Sequence, residues 1–172
     1  MNAQELDPFL NELFKSRKIE SLFEERVGVP MKLQSLTIQL DGLDTTTKRG
    51  YHIDSAILPN YKAFIYLNDV EKTGDGPYTL VPGSHRHILR KVVNFFYNAL
   101  RNRPITDMSL FYSDSKASYF LDKAGKLIIS CQQCSHKGWS YQDQKSRYNL
   151  IAYLIEARHD TGAPFTLGKN AY

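Results

Sequence analysis

The chain has 172 residues, 42% of them hydrophobic, with 11 Tyr and 9 Phe. That is enough apolar side chain to bury one core without staples, and too much for a disordered tail. The formal net charge of +4 suits an anionic small molecule as well as nucleic acid, and equally an ordinary solvated surface.

No stretch approaches the roughly eighteen consecutive apolar residues of a membrane span. The opening MNAQELDPFLNELF carries acids where a secretory signal needs positive charge. The expectation is one soluble, cytoplasmic domain over 1–172, with no membrane partner.

From Ala3 to about Glu25, Leu6, Phe9, Leu10, Leu13 and Phe14 recur at helical spacing. Asp7-Pro8 offers an N-cap followed by proline in the first turn. MKLQSLTIQL, Met31 to Leu40, alternates apolar and polar residues and predicts a strand. DGLDTTTKRG reads as a loop, and His52 to Ser55 opens the next extended piece. YKAFIYLNDV and YTLV, separated by the turn signal KTGDGP, read as a hairpin-like pair.

After Pro82-Gly83, Ser84 is placed to cap a helix. Leu89, Val92, Val93, Phe96, Tyr97 and Leu100 share one face of that helix, and Arg90, Lys91, Asn94, Asn98 and Arg101 share the other. The polar, basic face is expected in solvent. ASYFLD, LIISCQQCSH and YNLIAYLIEA supply the remaining strands. Many short strands around one inserted helix, after a helical N-terminus, predict a mainly β jelly roll (double-stranded β-helix) and not a parallel α/β unit.

His52-Ile53-Asp54 carries the first chemical signal. On extended backbone, residues two apart face the same side, so the imidazole and the carboxylate converge. His136, at the end of LIISCQQCSH, can meet them where jelly-roll strands gather. Two histidines and one carboxylate form the open ligand set of non-haem Fe(II) oxygenases. A zinc hydrolase with similar ligands usually adds a Glu base, and no HExxH occurs. Arg147 opens the last apolar strand, and an arginine facing a barrel interior requires an anionic partner. A dicarboxylic cosubstrate would supply one.

Together these pieces resemble the phytanoyl-CoA dioxygenase family of Fe(II)- and 2-oxoglutarate-dependent oxygenases. The matching segments are the HxD of His52 and Asp54, FIYLNDVEKTGDGPYTLVPGSHR, AGKLIISCQQCSHKG and the Arg147 strand. The likeness covers roughly Gln39 to Glu156. It implies iron on His52, Asp54 and His136, and the distal carboxylate of 2-oxoglutarate on Arg147. It also implies O2 as co-reactant, release of succinate and CO2, and hydroxylation of a C–H bond in a small molecule.

The chain departs from the family in being short, in having Cys134 where an apolar residue is common, and in having Gly138 where some members place a hydroxyl. Gln39, on the strand before HxD, is the candidate for the cosubstrate's other carboxylate. A cupin-like metal enzyme without 2-oxoglutarate and a non-catalytic jelly-roll binding module remain as alternatives. No basic stripe interleaved with aromatics supports nucleic acid as a partner.

Cys131 and Cys134 form a CxxC without a second pair to complete a zinc site. Read on one continuous strand, the two point to opposite faces, and free thiols are expected. Phe64 and Tyr66 share a face and read as core, and His85 as a residue that fixes its turn.

Overall fold

The computed structural model describes residues 2–41, 50–55, 58–138 and 146–163. Asp7 caps helix α1 (Pro8–Lys15) by accepting a hydrogen bond from the Leu10 amide at 2.9 Å, with Pro8 in the first turn. The helical run does not continue to Glu25 unbroken. Arg17 takes a left-handed conformation, φ 59°, and a second helix, α2 (Lys18–Val27), starts there and ends on Gly28 at φ 80°. Only Gly avoids the steric cost of this region, so the break at Arg17 is mildly strained while the stop at Gly28 is not.

Seven strands follow among the described residues: β1 (Met31–Asp41), β2 (Asn60–Tyr66), β3 (Tyr78–Leu80), β4 (Ser118–Phe120), β5 (Leu127–Cys131), β6 (His136–Gly138) and β7 (Arg147–Glu156). They form a four-stranded sheet ordered β1-β7-β2-β5 and a three-stranded sheet ordered β4-β3-β6, with antiparallel pairing throughout. This is the jelly-roll class that the strand pattern predicts.

Alternation along the strands builds two cores. Leu33, Ala63 and Leu154 face α1 and α2, where Leu10 and Phe23 complete one buried cluster. Phe64, Tyr66, Ile128 and Ile151 face the other sheet and meet Val70 and Tyr78. A bulge between Leu33 and Ser35 shifts the β1 register. Beyond it, Gln39 lies opposite Asn149 and Asp41 opposite Arg147, so these four share the face that carries Phe64 and Tyr66.

Three expectations about the strands are corrected. β2 and β3 are not a hairpin: they lie in different sheets, and the segment between them is a crossover. LIISCQQCSH is not one strand: β5 ends at Cys131, a turn follows, and β6 begins at His136 in the other sheet. The strand read as ending at Leu40 takes in Asp41, the first residue of the expected loop. The rest of that loop, 42 to 49, lies outside the described residues.

The inserted helix, α3 (Ile88–Leu100), forms, but its faces are reversed. Asn94 and Asn98 are buried, whereas Leu89 is 76%, Phe96 61% and Leu100 88% exposed. The two asparagines donate to the backbone carbonyls of Ile105 (3.1 Å) and Asp107 (2.7 Å), which fixes the polar face inward. Ser84 does not cap this helix. Its hydroxyl donates to Val81 O and accepts from the Ser135 amide, each at 2.7 Å, and so ties the PGSH turn to the residue preceding His136.

Candidate active site

His52 and His136 meet through a reciprocal backbone pair: the amide of each donates to the carbonyl of the other, at 3.0 and 2.9 Å. The Asp54 amide donates to Gln132 O at 3.0 Å. The HxD segment is thereby stitched to the turn that delivers His136, although it belongs to no longer strand among the described residues. Val81 N donates to Ser135 O at 2.8 Å and, with Ser84, holds the turn from its other side.

The three side chains converge as the sequence predicts. Their donor atoms lie within 4.8 Å of one another. Asp54 Oδ1 is 3.6 Å from Nε2 of His52 and 3.6 Å from Nε2 of His136, too long for hydrogen bonds. Adjacent ligands around an ion at first-row metal distances stand about 3 Å apart, so a small contraction brings all three onto one ion.

The ring tautomers fit as well. His52 Nδ1 donates to Gly50 O and His136 Nδ1 to Cys134 O, both at 2.9 Å. A carbonyl only accepts, so Nδ1 holds a proton in each ring and Nε2 is the nitrogen turned to the Asp54 side. Donor set, spacing and tautomer together fit a divalent ion.

Lys62 completes this end of the site. Its Nζ pairs with Asp54 Oδ2, the oxygen turned away from the histidines, and lies 4.9 Å from the centre of the Tyr153 ring. The ammonium is mostly buried, with 15% of its side chain exposed. Burial alone would raise the Asp54 carboxyl, but the Lys62 ammonium and the neighbouring His136 outweigh it and hold the group well below the usual carboxylate range. Tyr78 lies beside the His136 ring, with centroids 5.6 Å apart, and shares a 2.8 Å hydrogen bond with Ser130. Burial pushes its phenol pKa up, so it stays neutral.

Arg147 is buried, as predicted, at the other end of the same sheet face. Its guanidinium donates from Nη1 to Gly76 O and from Nη2 to Asp41 Oδ2 at 2.8 Å, and sits 6.0 Å from the Tyr66 ring centre. A Cβ built on Gly138 would lie 3.9 Å from Nη2. Gly138 is two residues beyond His136 on β6, a rise of roughly 7 Å, so Arg147 stands within reach of a short diacid anchored at the three ligands.

Gln39 is found with Arg147: its Nε2 donates to Asp41 Oδ1 at 2.6 Å. A cleft of about 400 Å³ borders Gly50, Tyr51 and His52 on one side and Arg103, Pro104, Thr106, Asp107 and Ser109 on the other. It takes in neither Asp54, His136 nor Arg147, and is a groove beside the site, not the space between its ends.

Lys62, Asp41 and Tyr78 do not emerge from the sequence reading. A signal for Lys62 was present: it has the parity of Phe64 and Tyr66, and a lysine on the inward side of an apolar strand needs a buried anion. Asp41 has the parity of Gln39, but falls within DGLD, whose composition is that of a turn. His85 contacts the turn, with Nδ1 3.1 Å from Cys134 Sγ.

No family model matches the chain, and no curated protein matches it. Solved structures do. HygX from Streptomyces hygroscopicus, with nickel and 2-oxoglutarate bound, has a TM-score of 0.65 at 16% identity; the likeness covers 90% of this chain and 67% of that one. SnoK, a non-haem α-ketoglutarate-dependent carbocyclase from nogalamycin biosynthesis, has a TM-score of 0.69 at 19% identity, covering 96% and 71%. The epimerase SnoN, in complex with Fe3+, α-ketoglutarate and nogalamycin RO, has a TM-score of 0.64 at 20% identity, covering 99% and 70%. The chain has the fold of these three proteins.

Proposed function

We propose that this protein is an Fe(II)- and 2-oxoglutarate-dependent oxygenase that hydroxylates a C–H bond of a small molecule, of the kind represented by the phytanoyl-CoA dioxygenase family. The observation that carries the reading is the triad: two histidines with Nδ1 protonated by backbone contacts and Nε2 equidistant from one oxygen of Asp54. The fold shared with HygX, SnoK and SnoN, whose structures or names include the same cosubstrate, supports it.

His52, Asp54 and His136 would hold the iron, leaving half of its coordination sphere open. When bound, Fe(II) and 2-oxoglutarate supply O2 activation coupled to oxidative decarboxylation, giving succinate, CO2 and an oxidised substrate. Lys62 orients the carboxylate ligand, and Arg147 holds the far carboxylate of the cosubstrate. Phe64, Tyr66 and Tyr78 wall the space and exclude water.

Anaerobic addition of Fe(II) and 2-oxoglutarate should give a weak visible charge-transfer band, which His136→Ala abolishes. Retention of the band in that variant would break the triad assignment. The second reading, a cupin-like metal enzyme that does not use 2-oxoglutarate, is favoured by one observation: a carboxylate of the protein, Asp41, already occupies Arg147.

A further inference from the structure

The Asp41 carboxylate sits in a built anion cradle. Gln39 Nε2 donates to Oδ1 at 2.6 Å; Arg147 Nη2 and Asn149 Nδ2 donate to Oδ2 at 2.8 and 3.1 Å. Cross-strand register produces this arrangement, with Asp41 directly opposite Arg147 and Gln39 opposite Asn149. The ion pair is largely shielded, with 8% and 17% of the Arg147 and Asp41 side chains exposed. One guanidinium and two neutral amides are the donors that a ligand carboxylate also takes.

From this geometry we infer that Asp41 is a built-in competitor for the cosubstrate, occupying the anion subsite that the far carboxylate of 2-oxoglutarate must take. The inference rests on the oxygenase reading above and adds a residue that sets how tightly the cosubstrate binds. Charge balance carries it. Arg147 and Asp41 together are neutral, and among the described residues a second carboxylate in the same shielded pocket leaves a net negative charge, which is costly.

Gly138 presents no side chain towards Nη2, so a carboxylate can approach from the His136 side and contest the same N–H group. Binding of the cosubstrate therefore includes loss of the Asp41–Arg147 contact, and the measured affinity is reduced by that contact's free energy.

Asp41→Asn removes the charge with little change of shape and tests this directly. In calorimetric titrations of 2-oxoglutarate into the anaerobic Fe(II)-loaded protein, Asp41→Asn should bind at least about ten-fold tighter than the parent. Asp41→Ala should do the same, which guards against an asparagine that keeps the cradle closed. Titrating glutarate, which lacks the 2-oxo group and so cannot chelate as a keto acid, into metal-free protein reads the Arg147 subsite; both variants should bind it more tightly than the parent.

Equal or weaker 2-oxoglutarate binding by both folded variants, with binding by the parent intact, would overturn the inference while leaving the oxygenase reading in place, and Asp41 would then be a partner that orients Arg147. If parent and variants all bind Fe(II) but none binds 2-oxoglutarate, both fall together.

Discussion

Lys62 and Asp54 form an ion pair in which the ammonium takes Oδ2 and leaves Oδ1 3.6 Å from Nε2 of both histidines. The lysine thus leaves one carboxylate oxygen to the two histidines and takes the other itself. Lys62→Met keeps the length of the side chain but frees Oδ2, so the carboxylate can offer two oxygens. The visible spectrum of the anaerobic Co(II)-loaded variant should differ from the parent's in position or intensity, and Lys62→Arg should largely restore it. Co(II) affinity should not fall, because the lost cation repels the ion, whereas cosubstrate-dependent turnover should drop about ten-fold or more. An unchanged spectrum in Lys62→Met would contradict this role.

The Arg147 guanidinium donates in two directions, to Gly76 O and to Asp41 Oδ2, which the single ammonium of a lysine does not reproduce. Arg147→Lys should weaken 2-oxoglutarate binding yet leave measurable turnover. Arg147→Ala should cost more, on the order of 2–5 kcal/mol for a shielded pair, and should leave Fe(II) binding without cosubstrate nearly unchanged. Calorimetry on folded, metal-loaded variants reads both quantities.

Helix α3 should respond to mutation opposite to the usual pattern. Asn98 is buried and satisfies the Asp107 carbonyl, so Asn98→Ala leaves a buried acceptor unpaired and should destabilise by about 1–3 kcal/mol. Leu89 is 76% exposed, and Leu89→Gln should change stability by no more than about 0.5 kcal/mol. Denaturant midpoints of the two variants check this; a larger loss for Leu89 would show that its face is covered in solution.

The turn at Gln132 to Ser135 alters the reading of the cysteines. It brings the two thiols together: the Cys134 thiol hydrogen-bonds to Cys131 and, opposing burial, lowers the Cys131 pKa to about 6, with the Gln133 and Cys134 amides and Lys91 adding to the effect. The Cys134 thiol is pushed up, because it is the donor in that pair. A lowered pKa means that the thiolate is present above pH 6. Iodoacetamide should therefore modify Cys131 first, at a rate that rises through pH 6 and levels off near pH 7.5. A rate still climbing at pH 9 would contradict the assignment.

Features set by local chemistry were legible in the sequence. Asp7-Pro8 marks the start of α1, and alternation marks β1. His52 and Asp54 are brought to His136 as their spacing and the jelly-roll pattern require, and Arg147 lies buried where its strand begins. Features set by pairing at a distance were not. KTGDGP has the composition of a hairpin turn whether its flanking strands pair or cross to another sheet, and only the whole topology decides.

Amphipathicity in α3 shows that two faces exist without showing which is inward. The deciding partners, the Ile105 and Asp107 carbonyls, carry no side-chain signature. Asp41 was hidden for the same reason: its role comes from register with Arg147, which the β1 bulge shifts, and bulges leave little trace in composition.

On the proposed reading, the His52, Asp54 and His136 triad supports 2-oxoglutarate-dependent oxidation. Parent protein supplied with Fe(II), ascorbate, O2 and 2-oxoglutarate should form succinate even without its substrate, by slow uncoupled turnover. Omitting Fe(II) or O2 should abolish succinate, as should His136→Ala in protein shown to be folded. Succinate at the parent's rate from His136→Ala, or none from metal-loaded parent under any of these conditions, would contradict the account.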